Sequence, residues 1–514
     1  VVADDGVRRP PARVVMEVIQ APELLAVDDR GVDLNDAIRV RIDQRLLDTG
    51  EGVPPADEMG VVRLLDLAGV VEAFLARLEL LPLVPDPVSQ NDELTLRITG
   101  VNPGEPDATL LFTDTGIEVF LRLQDLRIDT EGGLVLEGLP IDLGGQIRLT
   151  AAAIASLAVE AGPDGAPRLR LENVDVALER LSGIMGDSTA QALLDTFGSL
   201  VRTLIEGAAR NLVNDVVAQA VPDFLELGLG DALDPLRQIP LDVAASPPLP
   251  AIALDLGFDL SAPVVEARNG LSLGLSGRVR QRAPTPPPFP IAGIPVESLD
   301  SEPPWPAAAG LAIGVRLSTV NALAHGVWQQ GALNLDLADV IPEQLRALIR
   351  EGRIEARLPP LVVATPPGSP ALFELQLGEL DLYLKGPRSG EQPDHYVLSL
   401  RAGLLLEVGD GGIRFNVAES ADIRVALLEF FGERPAFEAD LLQQILEPIV
   451  WGEVRNAVGE GLDLAIDPVA IGADLYADYA PGIRGIEVAP DFPVGPLVRR
   501  GWFVLPAGLA VTLR

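Results

Sequence analysis

The segment QRAPTPPPFPIAGIPVESLDSEPPWP, residues 281–306, is rich in proline and lies just past the middle of the chain. Proline fixes φ and has no backbone N–H, so residues such as Pro286, Pro287 and Pro288 cannot build a helix or a central strand. The segment therefore predicts an extended connector. The parts of the chain on either side of it indicate what it connects.

The composition predicts a large buried interior. A chain of 514 residues exceeds what one hydrophobic core normally serves, so two domains or one repeated architecture is expected. Apolar residues make up 48% of the chain and the mean hydropathy is +0.27, although the formal net charge is −36. This combination is compatible with a lined apolar cavity, but on composition alone ordinary core-rich packing is the preferred interpretation.

Charge and cysteine content disfavour several classes of function. With 75 acidic against 39 basic residues, phosphate backbones would be repelled over most of the surface, so we expect no nucleic-acid partner. The absence of cysteine removes disulfides, thiolate catalysis and cysteine metal sites. The sequence has no run of about 18 uncharged apolar residues, so it predicts no membrane-spanning helix. The chain begins at Val1, and we expect that an upstream export signal has been removed.

The hydrophobic period changes along the first half of the chain. Residues 37–48 alternate like a strand and then turn helical, and residues 60–81 have helical spacing. A period of two follows between residues 94 and 176, which predicts a multistranded, mostly antiparallel sheet. The alternating positions are Leu94, Leu96 and Ile98; Ile117, Val119, Leu121 and Leu123; Ile147, Leu149, Ala151 and Ala153; and Leu169, Leu171, Val174 and Val176.

A long amphipathic helix is predicted from Ser188 to Val221. Its apolar residues follow three- and four-residue steps along one face, Asp187 or Ser188 can cap its start, and Pro222 can end it. At 1.5 Å per residue the helix would be about 50 Å long. A helix of that length must lie along an elongated sheet.

The same order of elements returns after the connector. Residues 310–328 change from strand to helix, residues 372–384 and 395–408 alternate, and residues 439–466 predict a second long helix. Short stretches also match: VRIDQRLL (40–47) parallels VRLSTVNAL (315–323), and RNLVNDVV (210–217) parallels RNAVGEGL (455–462). The connector is therefore predicted to join two tandem copies of one sheet-plus-long-helix unit.

This order of elements, together with TPPPFP (285–290), GLAIGVRLSTVNALAHGVWQQGALNLDL (310–337) and the two long helices, resembles the bactericidal/permeability-increasing and lipopolysaccharide-binding protein family of the tubular lipid-binding (TULIP) superfamily. The resemblance spans residues 36–514 and is identified as that of a divergent, bacterial member. It implies an α+β fold of two tandem barrels, each a twisted antiparallel sheet wrapped on a long helix, joined by a central sheet into a boomerang. It also implies an apolar pocket for phospholipid tails in each barrel.

The resemblance divides the chain into four parts. The predicted parts are an N-terminal extension (1–35), an N-terminal lipid-binding barrel (36–230), a central-sheet segment with the proline-rich linker (231–306), and a C-terminal barrel whose last strands return to the central sheet (307–514).

Mammalian members of the family carry a disulfide that this cysteine-free chain cannot form. Members that bind endotoxin use a basic tip, whereas this chain is acidic, so we expect acyl-chain binding rather than endotoxin binding by charge.

The inward faces of the two long helices are the candidate lipid-binding residues. They are Phe197, Leu200, Leu204, Ala208, Leu212 and Val216 in the first helix, and Leu442, Ile445, Ile449, Val454, Val458 and Leu462 in the second. On periodicity alone, the alternative is that these residues only fill the core. The second helix also carries Pro448, Gly452 and Gly459, which would kink or loosen it, so we expect unequal pockets.

Signals for catalysis and for metal binding are absent from the sequence. The two histidines, His325 and His395, have no metal-ligand partner at helical spacing, and no GxSxG, P-loop, GxGxxG or HExxH motif occurs. The acidic run VDDRGVDLND (27–36) could offer calcium the oxygens of Asp28, Asp29, Asp33, Asn35 and Asp36, but its spacing fits no EF-hand, so a solvated acidic turn is the preferred interpretation.

These observations predict a non-enzymatic lipid-binding or lipid-transfer protein without metal or cofactor, other than a bound lipid. Its partners would be phospholipid or another acyl lipid, and a membrane surface or an envelope protein. We expect it to be exported to the periplasm, the outer membrane surface or the exterior of a bacterial cell. The alternative is a non-catalytic interaction scaffold, in the envelope or a larger extracellular assembly, that keeps the fold but has filled barrels.

Overall fold

The computed structural model describes most of the chain outside its N-terminus and two long internal ranges. The described residues are 23–28, 30–58, 60–77, 79, 81, 89–90, 94–136, 139–142, 144–161, 167–185, 238–243, 251–260, 264–266, 269–282, 289, 291, 293–296, 302–306, 309–337, 346–366, 368–387, 389–409, 412–446, 451, 462–465, 469–471, 485–492 and 495–513. Within these residues, no helix is long and apolar enough to cross a membrane.

The described residues are mostly antiparallel sheet with few helices. The helices are α1 (Gln44–Leu47), α2 (Leu67–Leu75), α3 (Leu317–Gln329) and α4 (Ala439–Leu446). The strands are β1 (Glu23–Leu25), β2 (Gly31–Asp43), β3 (Val62–Leu64), β4 (Ser89–Gln90), β5 (Leu94–Asn102), β6 (Glu105–Phe112), β7 (Gly116–Leu136), β8 (Leu139–Asp142), β9 (Gly145–Ala161), β10 (Pro167–Met185), β11 (Gln238–Val243), β12 (Ile252–Leu260), β13 (Val264–Glu266), β14 (Gly270–Gln281), β15 (Ile294–Val296), β16 (Leu311–Arg316), β17 (Leu335–Asp336), β18 (Glu351–Ala356), β19 (Leu361–Ala364), β20 (Phe373–Lys385), β21 (Asp394–Gly409), β22 (Gly412–Glu429), β23 (Leu462–Ala465), β24 (Val469–Ile471), β25 (Ile486–Asp491), β26 (Leu497–Arg499) and β27 (Trp502–Leu513).

The largest sheet joins the two halves of the chain. Its main path runs β11-β12-β14-β2-β16-β27-β25-β24, with β13, β26 and β3 paired at its sides. The four strands on one side of the centre precede the connector, and the four on the other side follow it. The halves meet where β2 pairs with β16, and Val40 lies opposite Ile313 at the middle of that pairing. We call this large sheet the central sheet.

The connector crosses β2 from one side to the other, because β14 and β16 are the two neighbours of β2. That crossing spans only two strand spacings, about 10 Å, and needs few residues. Part of the remaining length forms β15, which pairs with β1 in a two-stranded antiparallel ribbon, with Leu24 opposite Pro295. Residues 302–306 lie against the central sheet, where the ring of Pro303 faces Gly314.

Each half also has a seven-stranded sheet, and the two sheets have the same plan. The first-half sheet follows β10-β9-β7-β5-β4, and β6 pairs with the other end of β7. In the second-half sheet, β20 takes the place of β7: it pairs with β19 at one end and β18 at the other, and is followed by β21 and β22. Neither path closes on itself within the described residues.

The apolar side chains that the sequence pattern places on alternate positions form the cores. The first-half core contains Leu110, Leu126 and Ile147, all nearly inaccessible to solvent, and reaches the central sheet at Ile42 and Leu271. The second-half core contains Leu382, Leu384 and Tyr396 and includes Trp328 of α3. Burial of such side chains stabilises the fold by about 1.5–3 kcal/mol each.

Several sequence predictions are confirmed by these elements. Residues 310–328 do change from strand to helix, as β16 and α3. The alternating segments at 372–384 and 395–408 are strands β20 and β21. The four alternating segments of the first half are β5, β7, β9 and β10.

Two helix predictions are wrong in their extent. In the segment 60–81 only Leu67–Leu75 is helical, because Val62–Leu64 pair with the end of β27 and Asp66 caps the helix by accepting from the N–H of Gly69. In the segment 439–466 the helix is described from Ala439 to Leu446, and Leu462–Ala465 form a strand paired with β22. The predicted helix at 188–221 lies outside the described residues.

Candidate functional site

Most of the predicted lipid-binding residues cannot be placed. Phe197, Leu200, Leu204, Ala208, Leu212, Val216, Ile449, Val454 and Val458 lie outside the described residues. On α4, Leu442 is fully buried in the second-half core and Ile445 is half-buried beside it. Leu462 is a residue of strand β23, opposite Phe415, and does not belong to a helix face. Leu462 was predicted on a helix, but it lies in a strand because its segment pairs with β22, a tertiary contact that local spacing does not reveal.

The central sheet brings together a different set of apolar residues. Residues directly opposite one another in antiparallel strands present their side chains on the same face. Across β14, β2, β16 and β27 this gives three continuous rows of four apolar side chains. The rows are Leu271-Ile42-Leu311-Ala507, Leu273-Val40-Ile313-Leu505 and Leu275-Ile38-Val315-Phe503. We call this set the apolar face of the central sheet.

The apolar face is buried at its two sides and only half-buried at its centre. The residues on β14 and β27 are buried, whereas Val40 on β2 and Ile313 on β16 are only half-buried. Val40 packs against the first-half core and against a cluster that contains Leu34 and Ala322 of α3. Val315 packs against a second-half cluster that contains Phe373 and Phe503. The centre of the apolar face is therefore a partly covered apolar strip where the cores of the two halves approach each other. Such a strip is typical of a binding surface rather than of a finished core.

The opposite face of the central sheet is covered where β16 pairs with β27. Arg316 is buried and its guanidinium lies 4.5 Å from the ring centre of Trp502, which is fully buried. Its Nε also donates to the carbonyl of Asp36 at 3.2 Å. Pro303 and Trp305 from the connector cover this side. Farther along this face, β2 and β14 carry Arg39, Arg41 and Ser272, so its described residues form no apolar rows like those of the other face.

A groove of about 600 Å³ opens between the β1–β15 ribbon and the second-half sheet. Leu24, Ile291 and Ile294 line it on the ribbon side, and the segment Leu358–Leu361 lines it on the other. The outer face of β20, β21 and β22 contributes polar side chains, including Arg401. The volume lies within the range of ordinary ligand sites.

A buried polar cluster joins strands of the second-half sheet. Asp381 is only 1% exposed, and its carboxylate accepts from Nε of Arg357 and lies 2.9 Å from Nε2 of His395. The ring of His395 stacks on that of Tyr383, with 4.6 Å between the centroids. The guanidinium of Arg353 lies over the Tyr383 ring, 4.4 Å from its centroid. Bonding to Asp381 raises the pKa of the Arg357 guanidinium further. The Asp381 carboxylate is already shared by two donors, so the cluster ties β18, β20 and β21 together.

His325 has an unusual environment on α3. It is 1% exposed, and neither ring nitrogen has a hydrogen-bond partner within the described part of the chain. Its ring lies 5.4 Å from that of Trp328, and burial lowers its pKa to about 4. The histidine is therefore neutral at pH 7.

The acidic run at residues 27–36 is a turn only around Asp28 and Arg30, because β2 begins at Gly31 and pairs with β14. The carboxylate of Asp28 accepts from the backbone N–H groups of Arg30 and Gly31, and these bonds lower its pKa. Asp33 pairs with Arg280, and Asp36 pairs with Arg39 at 2.9 Å. In the described residues, no group of three or more acidic or histidine side chains could hold a metal ion.

The apolar face and the groove were both missed by sequence reasoning. Each row of the apolar face follows from alternation at residues 38–42, 271–275, 311–315 and 503–507, and that alternation is visible in the sequence. The sequence does not show which of these strands are neighbours in the sheet. The groove unites segments near residues 24, 291, 358 and 401, and only the proline-rich connector hinted that an extended segment would lie over another element.

Comparison with known proteins supports a related fold. Neither a protein-family model nor a curated protein sequence matches the chain. Two structures of P47 from Clostridium botulinum, of A2 and E1, match 92% of this chain and 98% and 99% of theirs at 8% and 9% identity, with TM-scores of 0.24 and 0.25, which are too low to support an argument. The crystal structure of a lipopolysaccharide binding protein matches 93% of this chain and 99% of its own, with a TM-score of 0.52 and 14% identity. The chain therefore has a fold related to that of the lipopolysaccharide binding protein.

Proposed function

We propose that this protein binds lipid and shelters acyl chains, of phospholipid or a similar lipid, from water. The observation that carries the proposal is the centre of the apolar face, where Val40 and Ile313 are only half-buried although both halves contribute apolar rows to it. The related fold of a protein named for binding lipopolysaccharide supports the same class of ligand. In this proposal the protein carries or presents the lipid and catalyses no reaction.

The proposal includes the architecture that the sequence predicts. Each seven-stranded sheet would wrap around one long amphipathic helix, at residues 188–221 in the first half and from Ala439 onward in the second. The acyl chain would lie between helix and sheet, next to the apolar face. Export from a bacterial cell, which would bring the protein to envelope lipids, is part of the same proposal.

Burial supplies enough free energy for such a ligand. Each CH₂ group removed from water contributes roughly 0.8 kcal/mol, so one acyl chain contributes several kcal/mol after the cost of ordering it. No charge on the protein is needed for this term. It therefore agrees with an acidic chain that would repel an anionic membrane surface over most of its area.

Native mass spectrometry of the purified 54.4 kDa chain, followed by lipid analysis of an organic extract, tests the proposal. Adducts of one or two lipid masses would support it and would count the occupied sites. A chain that carries no lipid and takes up none from mixed phospholipid vesicles would overturn it. If such a bare chain copurified with a stoichiometric protein partner, an interaction scaffold would be the better explanation.

A further inference from the structure

The groove beside the β1–β15 ribbon has exposed apolar walls. Leu24 on the ribbon is 48% exposed, and Leu358 on the opposite wall is 40% exposed. Gly293 allows the two strands of the ribbon to approach closely, because a Cβ at this position would lie 2.6 Å from the carbonyl oxygen of Leu25 and 3.2 Å from Cβ of Leu24. The exposed leucines therefore belong to a defined surface, and the groove volume of about 600 Å³ is within the range of ligand sites.

Polar side chains from three neighbouring strands form the other side of the groove. Arg401 on β21 lies between Gln376 on β20 and Asp422 on β22 in the strand register. The next outward position on β21 is Ser399, which is opposite Arg424. All five residues line the groove, whereas the core side of these strands carries apolar residues. The groove is thus apolar on one side and polar on the other.

The residues that line the polar side carry one more positive than negative charge, and the nearby Glu374 carboxylate accepts from Gln376 at 2.6 Å. Arg424 donates to the Asp422 carboxylate at 2.9 Å, and both side chains are largely exposed. Arg401 forms no ion pair with any described residue. Two guanidinium groups thus face one carboxylate, on a chain whose formal net charge is −36. A guanidinium without a carboxylate partner is well suited to bind a carboxylate or phosphate through two parallel hydrogen bonds.

We propose that this groove binds a single-chain anionic amphiphile, with the acyl chain along Leu24 and Leu358 and the anionic headgroup at Arg401 and Arg424. The inference rests on the proposed lipid-binding function and names a second site for it, on the outer face of the second-half sheet. Charge complementarity selects the anionic headgroup, since a neutral amphiphile would leave Arg401 unpaired. A free anion without an acyl chain would lack the contribution from the apolar walls.

Isothermal titration calorimetry of the full chain with dodecanoate, dodecanol and inorganic phosphate tests this site. The two amphiphiles are used below the concentrations at which they aggregate. We expect dodecanoate to bind at least tenfold more tightly than dodecanol and phosphate to show no binding at the same concentrations. Arg401→Gln should weaken dodecanoate at least fivefold and leave dodecanol unchanged. Leu24→Ser and Leu358→Ser should weaken both amphiphiles, and because both leucines are exposed, these variants should keep the wild-type melting temperature.

Matched variants away from the groove provide the controls. Val264→Ser changes an apolar residue that is 57% exposed on β13, and Arg170→Gln changes an exposed arginine of the first-half sheet. Neither should alter dodecanoate binding. Equal affinities for dodecanoate and dodecanol, or an Arg401→Gln variant that binds like the wild type, would overturn the groove proposal. If the purified chain in that case carries endogenous lipid or takes it up from mixed phospholipid vesicles, the proposed lipid-binding function stands without this site. If it carries none and takes up none, both proposals fail.

Discussion

Asp125 and Glu379 occupy the same position in the two halves of the chain. Each has a positive φ, of 56° and 48°, and each lies at a β-bulge in the strand that pairs with two short strands on one side. The bulges fall between Leu123 and Leu126 in β7 and between Leu377 and Leu380 in β20. A shared irregularity of this kind bends both long strands at the same point.

The bulge in β20 predicts an unusual response to glycine. A non-glycine residue in the left-handed region is strained, whereas glycine adopts that backbone without steric cost. Because the Glu379 side chain is exposed, Glu379→Gly should raise the free energy of unfolding by about 0.5–1 kcal/mol. Urea denaturation followed by circular dichroism measures the change.

Valine provides the matched test at the same position. Its branched Cβ tolerates positive φ poorly, so Glu379→Val should lower the free energy of unfolding by about 1–2 kcal/mol. If the glycine variant were less stable than the valine variant, the positive φ at Glu379 would be contradicted.

Burial of His325 predicts a specific dependence of stability on pH. Its pKa is about 4 in the folded chain, against 6.5 when unfolded, so the unfolded state binds more protons between these values. The stability contributed by neutral His325 is complete above about pH 7 and falls as the pH drops through 6.5 toward 4. At 1.36 kcal/mol per pKa unit, the loss amounts to about 3 kcal/mol.

The variant His325→Phe isolates this effect, since phenylalanine keeps a ring beside Trp328 and cannot be protonated. Denaturation curves at pH 7.5, 6, 5 and 4 should show a smaller loss of stability in the variant than in the wild type. Parallel curves for the two proteins would mean that His325 is hydrated or paired in solution.

Asn321 attaches α3 to β19 through two hydrogen bonds. Its Nδ2 donates to the carbonyl of Val362 at 3.1 Å, and its Oδ1 accepts from the N–H of Val362 at 2.7 Å. Both groups are buried, so Asn321→Leu should cost about 2–4 kcal/mol by leaving them unpaired. The carboxylate of Asn321→Asp can still accept but cannot donate, so the melting temperature of this variant should lie between those of the wild type and the leucine variant. A leucine variant as stable as the wild type would show that the amide does not hold the helix.

The apolar face predicts where a polar side chain should reduce lipid binding. Ile313 is half-buried at the centre of the middle row, so Ile313→Ser should lower the melting temperature by only about 2–4 °C. It should nevertheless reduce the lipid carried per chain to less than half, as measured by native mass spectrometry. Val264→Ser is the matched control and should retain lipid as the wild type does. Full lipid loading of the Ile313 variant would place the ligand elsewhere.

Local periodicity was sufficient to find most elements of the fold. Strands β20 and β21 and the change from strand to helix at Arg316 follow from spacing alone, because the period of a strand or helix is a property of its own backbone. The tandem plan was also visible, since VRIDQRLL (40–47) and VRLSTVNAL (315–323) repeat the same pattern. Those two stretches contain the C-terminal ends of β2 and β16, the strands through which the halves meet.

Long-range pairing accounts for what periodicity missed. Leu462 has helical spacing with the residues before it, yet it lies in a strand because the edge of β22 is available beside it. The apolar face needs four strands in one register, and the groove needs Leu24 and Leu358 on facing walls although they are far apart in sequence. A residue's own period records only that one side is apolar. Which partner that side meets depends on strand order and on the path of the connector, and these are set by packing of the whole chain.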